Sequence, residues 1–300
     1  MKKKYVFVGD LNSINLELIC KSHNFLKHKV KYLLLGNLRD IKKYLERISS
    51  NIKINLCLDP INFTFYKRDY LNIFNIENIS KKKYINILNQ IKISNFLSTK
   101  TKHDLVTMPI NKYLFKKNIA FNGVTEYLGK LNNKNTIMLL HGENFSVIPL
   151  TTHINPKNIH KFIKQKNLTN KIINVNSYIS DRKYKLNLSG IYFLCYNPHC
   201  GENGTLGLED IIISKTLKQF NKIKGPYSSD GIFTNYKKNS LFLSTYHDQV
   251  LIPFKILNKK GINMTLGLDY RRISPAHGTA SDKIYKDIAN NISYIECMTI

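Results

Sequence analysis

The sequence predicts an α/β fold built on a largely parallel sheet. Short apolar runs alternate with longer segments of helical periodicity along most of the chain. The runs end at Gly9-Asp10, Gly36, Asp59-Pro60 and Pro109, the kind of residues that stop a strand and release the chain into a crossover helix. The third observation is scale. At 300 residues, with 43% hydrophobic and 22% charged, the chain fills one large domain or two ordinary ones, and either buries a real core.

Taken in order, residues 4–8 read as the first strand and residues 14–25 as a helix capped by Asn12-Ser13. Residues 32–35 form a strand ending at Gly36, and residues 38–48 an amphipathic helix. Residues 52–58 make a strand, residues 84–97 a helix with Ser80 as its cap, and residues 105–107 a short strand running into Pro109. Residues 136–140 and 146–150 pair around His141-Gly142, and residues 158–164 are helical. Residues 167–187 are polar and poorly periodic and read as a surface excursion. Residues 190–195 form a strand leading into a Gly-rich loop over 197–207, with a helix over 208–220 behind it. The strand at 240–245 runs into Tyr246-His247-Asp248-Gln249, and a short strand at 264–266 precedes Arg271-Arg272. There is no internal repeat and no interdomain linker. Residues 1–300 therefore read as one unit of two closely joined α/β subdomains, with no boundary marked between them.

Composition narrows the function classes. The formal charge is +26, but it comes from forty Lys and only six Arg, and the lysines are scattered. Arg is the residue suited to bidentate phosphate and base contacts. A chain crowded with Asn, Ile, Tyr and Phe and lacking Trp reads as AT-rich codon bias, not as a nucleic-acid groove. The positive field still attracts small anions. No uncharged apolar run is long enough for a membrane helix, and residues 5–8 are too short for a secretory segment. The five Cys contain no C-x-x-C pair and read as reduced thiols in the cytoplasm.

Chemistry gathers past strand ends, where open α/β sheets bind ligands. His153, His199 and His247 each follow a strand. Any one alone reads as an ordinary surface or core imidazole, but three converging would hold a divalent metal with open positions. Lys112, Lys255, Asn263 and Arg272 could hold an anion, and Arg272 is the most informative because Arg is scarce. The turn His277-Gly278-Thr279-Ala280, with Asp282 beyond it, is small enough for its backbone to approach a nucleotide. No G-x-G-x-x-G follows the first strand, so a Rossmann pyrophosphate loop is unsupported.

These pieces together resemble the 4-hydroxythreonine-4-phosphate dehydrogenase family of vitamin B6 biosynthesis. The motifs run in the family's order: Val106-Thr107-Met108-Pro109-Ile110-Asn111-Lys112, Thr125-Glu126, Thr152-His153, Asn197-Pro198-His199-Cys200-Gly201-Glu202, Gly225-Pro226 with Asp230, Tyr246-His247-Asp248-Gln249, Asn263 to Leu268, Arg272, and His277-Gly278-Thr279-Ala280. The resemblance implies a two-domain α/β/α fold like that of isocitrate and isopropylmalate dehydrogenases, with an interdomain active-site cleft. It implies a homodimer whose subunits share the active site and a small phosphorylated amino-acid substrate. It also implies NAD or NADP, and a divalent metal (zinc, magnesium or cobalt) on His153, His199 and His247. Thr125, Lys255, Asn263, Arg272 and Lys112 match substrate-binding positions. His277, Gly278, Thr279 and Asp282 match the cofactor loop, and Lys255 and Asp248 are the candidates for proton transfer.

Two departures stand out. Val124 replaces the family's His before Thr125, and the opening motif is reduced to Gly9-Asp10-Leu11-Asn12-Ser13-Ile14-Asn15-Leu16-Glu17. The expected reaction is oxidation of 4-phosphohydroxy-L-threonine to 2-amino-3-oxo-4-phosphobutanoate, which decarboxylates to 3-amino-2-oxopropyl phosphate. The alternatives are a related dehydrogenase of phosphorylated four-carbon sugar acids and a decayed, non-catalytic homologue.

Overall fold

A computed structural model describes residues 1–116 and 119–300, in two compact units. Met1–Lys134 and Leu268–Ile300 form the first, and Asn135–Gly267 the second. In the first unit the chain runs β1 (Lys3–Phe7), α1 (Asn15–Leu26), β2 (Lys31–Gly36), α2 (Leu38–Arg47), β3 (Ile54–Leu56), β4 (Leu71–Asn75), α3 (Lys83–Thr101), β5 (Asp104–Thr107) and α4 (Val124–Leu131). Tyr5, Val6 and Phe7 are all fully buried, as expected of a central strand covered on both faces. Gly9 leaves β1 at φ +74, and a Cβ there would lie 2.5 Å from the Pro109 carbonyl oxygen, so the loop closes only on glycine. In α2 the Asn37 side chain accepts from the Asp40 amide at 3.1 Å, and Ile41, Tyr44 and Leu45 make the buried stripe.

The second unit contains β6 (Ile137–Gly142), β7 (Phe145–Pro149), α5 (Gln165–Ile179), β8 (Gly190–Leu194), α6 (Glu209–Leu217), β9 (Ile223–Tyr227), α7 (Ser229–Ile232), β10 (Ser240–Ser244), α8 (His247–Leu257) and β11 (Gly261–Leu266). Its strands lie in the order β11-β6-β7-β10-β8-β9. The β11-β6 and β6-β7 pairs are antiparallel, and the remaining neighbours are parallel. The chain then re-enters the first unit as β12 (Arg272–Pro275) and α9 (Ile292–Thr299), completing a sheet ordered β3-β4-β2-β1-β5-β12 whose neighbours are all parallel. No helix among the described residues is long and apolar enough to cross a membrane.

The mixed α/β architecture is the one the sequence predicts, but several elements differ. The predicted helix at 158–164 is two single 3-10 turns, Pro156–Asn158 and His160–Phe162, because so short a Lys- and Asn-rich segment cannot sustain an α-helical nucleus. The predicted surface excursion at 167–187 is mostly α5, held by a stripe of only Leu168, Ile172 and Val175. The strand expected at 52–58 shrinks to β3, and β4, β9, α4 and α9 carry no clear sequence signal. The segment after Thr245 is α8, despite Pro253 inside it. Ser80 does not cap α3: Lys82 holds that position, while the Ser80 hydroxyl accepts from the Lys82 amide at 3.1 Å. Arg272 opens a strand of its own.

Candidate functional site

The first unit carries the candidate anion-holding group. β12 pairs with β5 in the register Arg272↔Leu105, which sets Arg272 two residues from the Thr107 end of β5. Its Nε donates to Thr107 Oγ1 at 2.8 Å, and its Nη1 donates to Thr125 Oγ1 at 3.2 Å from the first turn of α4. Arg272 is 4% exposed, and burial pushes its pKa down to about 10, so it remains charged at neutral pH. The two hydroxyls fix the direction of the guanidinium, and the Glu126 charge acts on it as well. Lys112 lies near by: its Nζ and the Glu126 carboxylate both come against Gly123, just ahead of α4. Val124, beside Thr125, packs on the apolar cluster of Phe115 and Leu128.

The His277 turn is also in this unit. His277 Nδ1 lies 2.8 Å from the Gly278 carbonyl oxygen and therefore carries the proton there. Its Nε2 is buried with no hydrogen-bond partner among the described residues, and burial holds the ring's pKa below the usual imidazole range. A neutral ring in this tautomer presents a bare acceptor that a ligand donor would satisfy. The Thr279 carbonyl accepts from the Ile14 amide at 3.2 Å, tying the turn to the start of α1. Asp282 is exposed in the turn Ser281–Lys283.

His153, His199, His247, Asp248, Lys255 and Asn263 belong to the second unit. His153 and His247 have ring centroids 6.2 Å apart. His247 Nδ1 lies 2.7 Å from Asp248 Oδ1, the arrangement that turns Nε2 outward as a metal ligand. His199 is exposed, with its Nδ1 3.8 Å from the Asp230 carboxylate. Among the described residues, no three His, Cys, Asp or Glu come together as a metal site. The chain thus brings together two of the three predicted imidazoles. Asn263, on β11, buries its Oδ1 without a partner among the described residues, a second bare acceptor. Lys255 is exposed on α8, eight residues and about 12 Å of helix beyond His247.

Three positioning residues carry no role in the sequence reading. Asp210 accepts from the amides of Tyr196 and Asn197 at 2.7 and 2.9 Å, anchoring the loop that holds His199. That loop runs through six successive positive φ values, from His199 (φ 48) to Gly204 (φ 97), a strained path that needs such an anchor. Gln249 Nε2 donates to the Cys195 carbonyl at 2.7 Å and Ser229 Oγ at 2.6 Å, joining the ends of β8 and α8 to α7. Thr107 is the third. It stands in a quoted motif, but only the fold shows that it faces Arg272.

The pyridoxal phosphate biosynthetic protein PdxA family model matches residues 16–300. The 4-hydroxythreonine-4-phosphate dehydrogenase of Aquifex aeolicus is 31% identical, over 100% of this chain and 97% of its own. That of a Hydrogenobaculum species is 33% identical, over 96% and 94%. Among solved structures, the Klebsiella pneumoniae 4-hydroxythreonine-4-phosphate dehydrogenase superposes with a TM-score of 0.83 at 24% identity, covering 100% of this chain and 98% of that one. A terephthalate 1,2-cis-dihydrodiol dehydrogenase from Burkholderia xenovorans gives 0.63 at 17% identity, over 99% and 97%, which speaks for the fold alone.

Proposed function

Because the chain belongs to the PdxA family of pyridoxal phosphate biosynthetic proteins, we propose that it is a dehydrogenase of 4-phosphohydroxy-L-threonine. It oxidises the C3 hydroxyl with NAD or NADP to give 2-amino-3-oxo-4-phosphobutanoate, which loses carbon dioxide to form 3-amino-2-oxopropyl phosphate. The observation that carries this reading is Arg272, a buried guanidinium held by Thr107 and Thr125, which can bind a phosphate or carboxylate in a fixed direction.

Arg272, Thr125 and Lys112 hold the substrate's anionic end. The bare Oδ1 of Asn263 accepts from its ammonium. His153, His247 and His199 hold the divalent ion, with Asp248 orienting His247. Lys255 and Asp248 are the two groups assigned to the hydroxyl proton. His277, Gly278, Thr279 and Asp282 hold the nicotinamide cofactor, and the bare Nε2 of His277 fits a ligand donor. When bound, the ion supplies Lewis acidity at the hydroxyl and the carbonyl it becomes, and the nicotinamide supplies a hydride acceptor.

The assembly in this reading is a homodimer with shared active sites, in the cytoplasm. Two imidazoles gathered in one chain invite a third from a second copy. α8 also leaves Ile252 and Ile256 58% and 73% exposed, an apolar surface suited to burial against another subunit. Val124 supports the second reading, a phosphorylated four-carbon sugar acid as substrate, because an apolar side chain stands where the family has His. Steady-state rates on both substrates separate them. Faster turnover of 4-phosphohydroxy-L-threonine supports the first reading, and preference for the sugar acid overturns it.

A further inference from the structure

In the second unit β7 and β10 run side by side and parallel, with Pro149 opposite Ser244 where both strands end. Residues 150–155 adopt neither helix nor strand, so no regular backbone ladder sets the path from β7 to His153. Three hydrogen bonds set it instead. The Leu150 amide donates to the Ser244 carbonyl at 2.7 Å, carrying the strand pairing one step further. The Thr151 hydroxyl donates to the Thr245 carbonyl. Lys171 Nζ, on α5, donates to the Leu150 carbonyl at 2.6 Å.

The Thr151 bond joins the two His-bearing segments directly, because Thr151 stands just ahead of Thr152-His153 and Thr245 just ahead of Tyr246-His247. Both threonines are buried, so water cannot stand in for a lost hydroxyl at little cost. The His247 side is also pinned from its own strand, where the Tyr246 amide donates to Ser244 Oγ at 2.9 Å. The His153 side has α5 as its brace. Lys171 lies over the Phe162 ring, its Nζ 5.0 Å from the centroid, and burial lowers its pKa. A half-buried ammonium is unfavourable unless its protons are bonded, and the Leu150 carbonyl takes one of them. Two side chains from different elements thus converge on one two-residue stretch, Leu150-Thr151, whose continuation is a candidate metal ligand.

We propose that Thr151 and Lys171 are positioning residues: they clamp the end of β7 to that of β10, so that His153 and His247 stand preset as a two-imidazole half of the metal site before an ion arrives. The role toward metal rests on the dehydrogenase reading; the clamp itself does not. The full chain, freed of metal, is titrated with cobalt(II), followed by visible absorption, and amide exchange over residues 150–153 is measured in the same metal-free samples. Thr151→Val keeps the shape and loses the hydroxyl. It should bind cobalt at least about tenfold more weakly and exchange faster over residues 150–153. Thr151→Ser restores the hydroxyl and should bind within about twofold of the wild type. Lys171→Met keeps the stem over Phe162 and loses the ammonium; it should shift both readouts in the same direction, and it carries the test if Thr151→Val does not fold. A cooperative melt shows that each variant is folded. Wild-type affinity and exchange in the folded variants, or a Thr151→Ser chain as weak as Thr151→Val, would overturn the proposal and leave the metal assignment standing. A wild type that takes no cobalt, with exchange quickened in Thr151→Val, upholds the clamp and refutes that assignment instead.

Discussion

Arg272 holds a charge where water scarcely reaches, and the Thr107 and Thr125 hydroxyls to which it donates stand 165 and 147 positions away in sequence. Arg272→Lys keeps the charge and loses the fork, so kcat/KM should fall by about 1–3 kcal/mol of transition-state binding, roughly 5- to 150-fold. Wild-type kinetics in that variant would remove Arg272 from the site. A second buried cluster tests stability. Arg271 Nε donates to Asp104 Oδ1 at 3.1 Å, and Lys4 Nζ lies 3.3 Å from Asp104 Oδ2. Burial alone would raise the Asp104 pKa, but the Arg271 hydrogen bond and the Lys4 and Arg271 charges outweigh it and hold the carboxyl below its usual range. Lys4 responds differently: it is fully buried, and desolvation lowers its pKa despite Asp104. The ion pair therefore stabilises through the carboxylate more than through the ammonium. A depressed carboxyl pKa contributes stability that is present above the unfolded value of about 4 and is lost as pH falls through the folded value. Asp104→Asn should cost about 3–5 kcal/mol at neutral pH by leaving buried cations uncompensated. In urea melts, the gap from wild type should narrow below about pH 4; a constant gap would count against the linkage.

At the scale of elements, what can be read in advance depends on how strongly burial marks the sequence. β1 and β2 are legible because a strand covered on both faces is a continuous apolar run, as at Tyr5–Phe7 and Leu33–Leu35. α5 is harder to read, because the i, i+4, i+7 stripe of Leu168, Ile172 and Val175 is thin among Asn and Lys, and Ile173 and Ile179 off that stripe blur the period. Ile172→Ala, at a fully buried position in that stripe, should lose about 2–5 kcal/mol in urea unfolding, whereas an excursion on the surface would lose almost nothing. The loop carrying His199 is illegible for another reason. Of the six successive residues with positive φ, four are not glycine, and local preference argues against each. The tertiary anchor Asp210 imposes the path. Asp210→Asn should weaken two amide hydrogen bonds to a charged acceptor and destabilise the loop by about 1.5–3 kcal/mol. Faster amide exchange confined to residues 196–204 would report it, and unchanged exchange would show that the loop holds itself.

For the whole molecule, the order of motifs makes the family readable, while the metal geometry is not, since one chain gathers His153 and His247 without His199. If a second copy completes the site, replacing Ile252 and Ile256 on α8 with Lys should convert a dimer to a monomer in sedimentation, with loss of bound metal. A variant that stays dimeric with full metal would place the interface elsewhere. The central claim is the oxidation of a phosphorylated hydroxy amino acid by this chain. It is tested most directly by following reduced nicotinamide formed from 4-phosphohydroxy-L-threonine by the purified wild type, before chelation, after it, and after a divalent ion is restored. The expected result is turnover that chelation abolishes and the ion returns, with 3-amino-2-oxopropyl phosphate as product. No reduced nicotinamide from a folded, metal-supplied chain would contradict it.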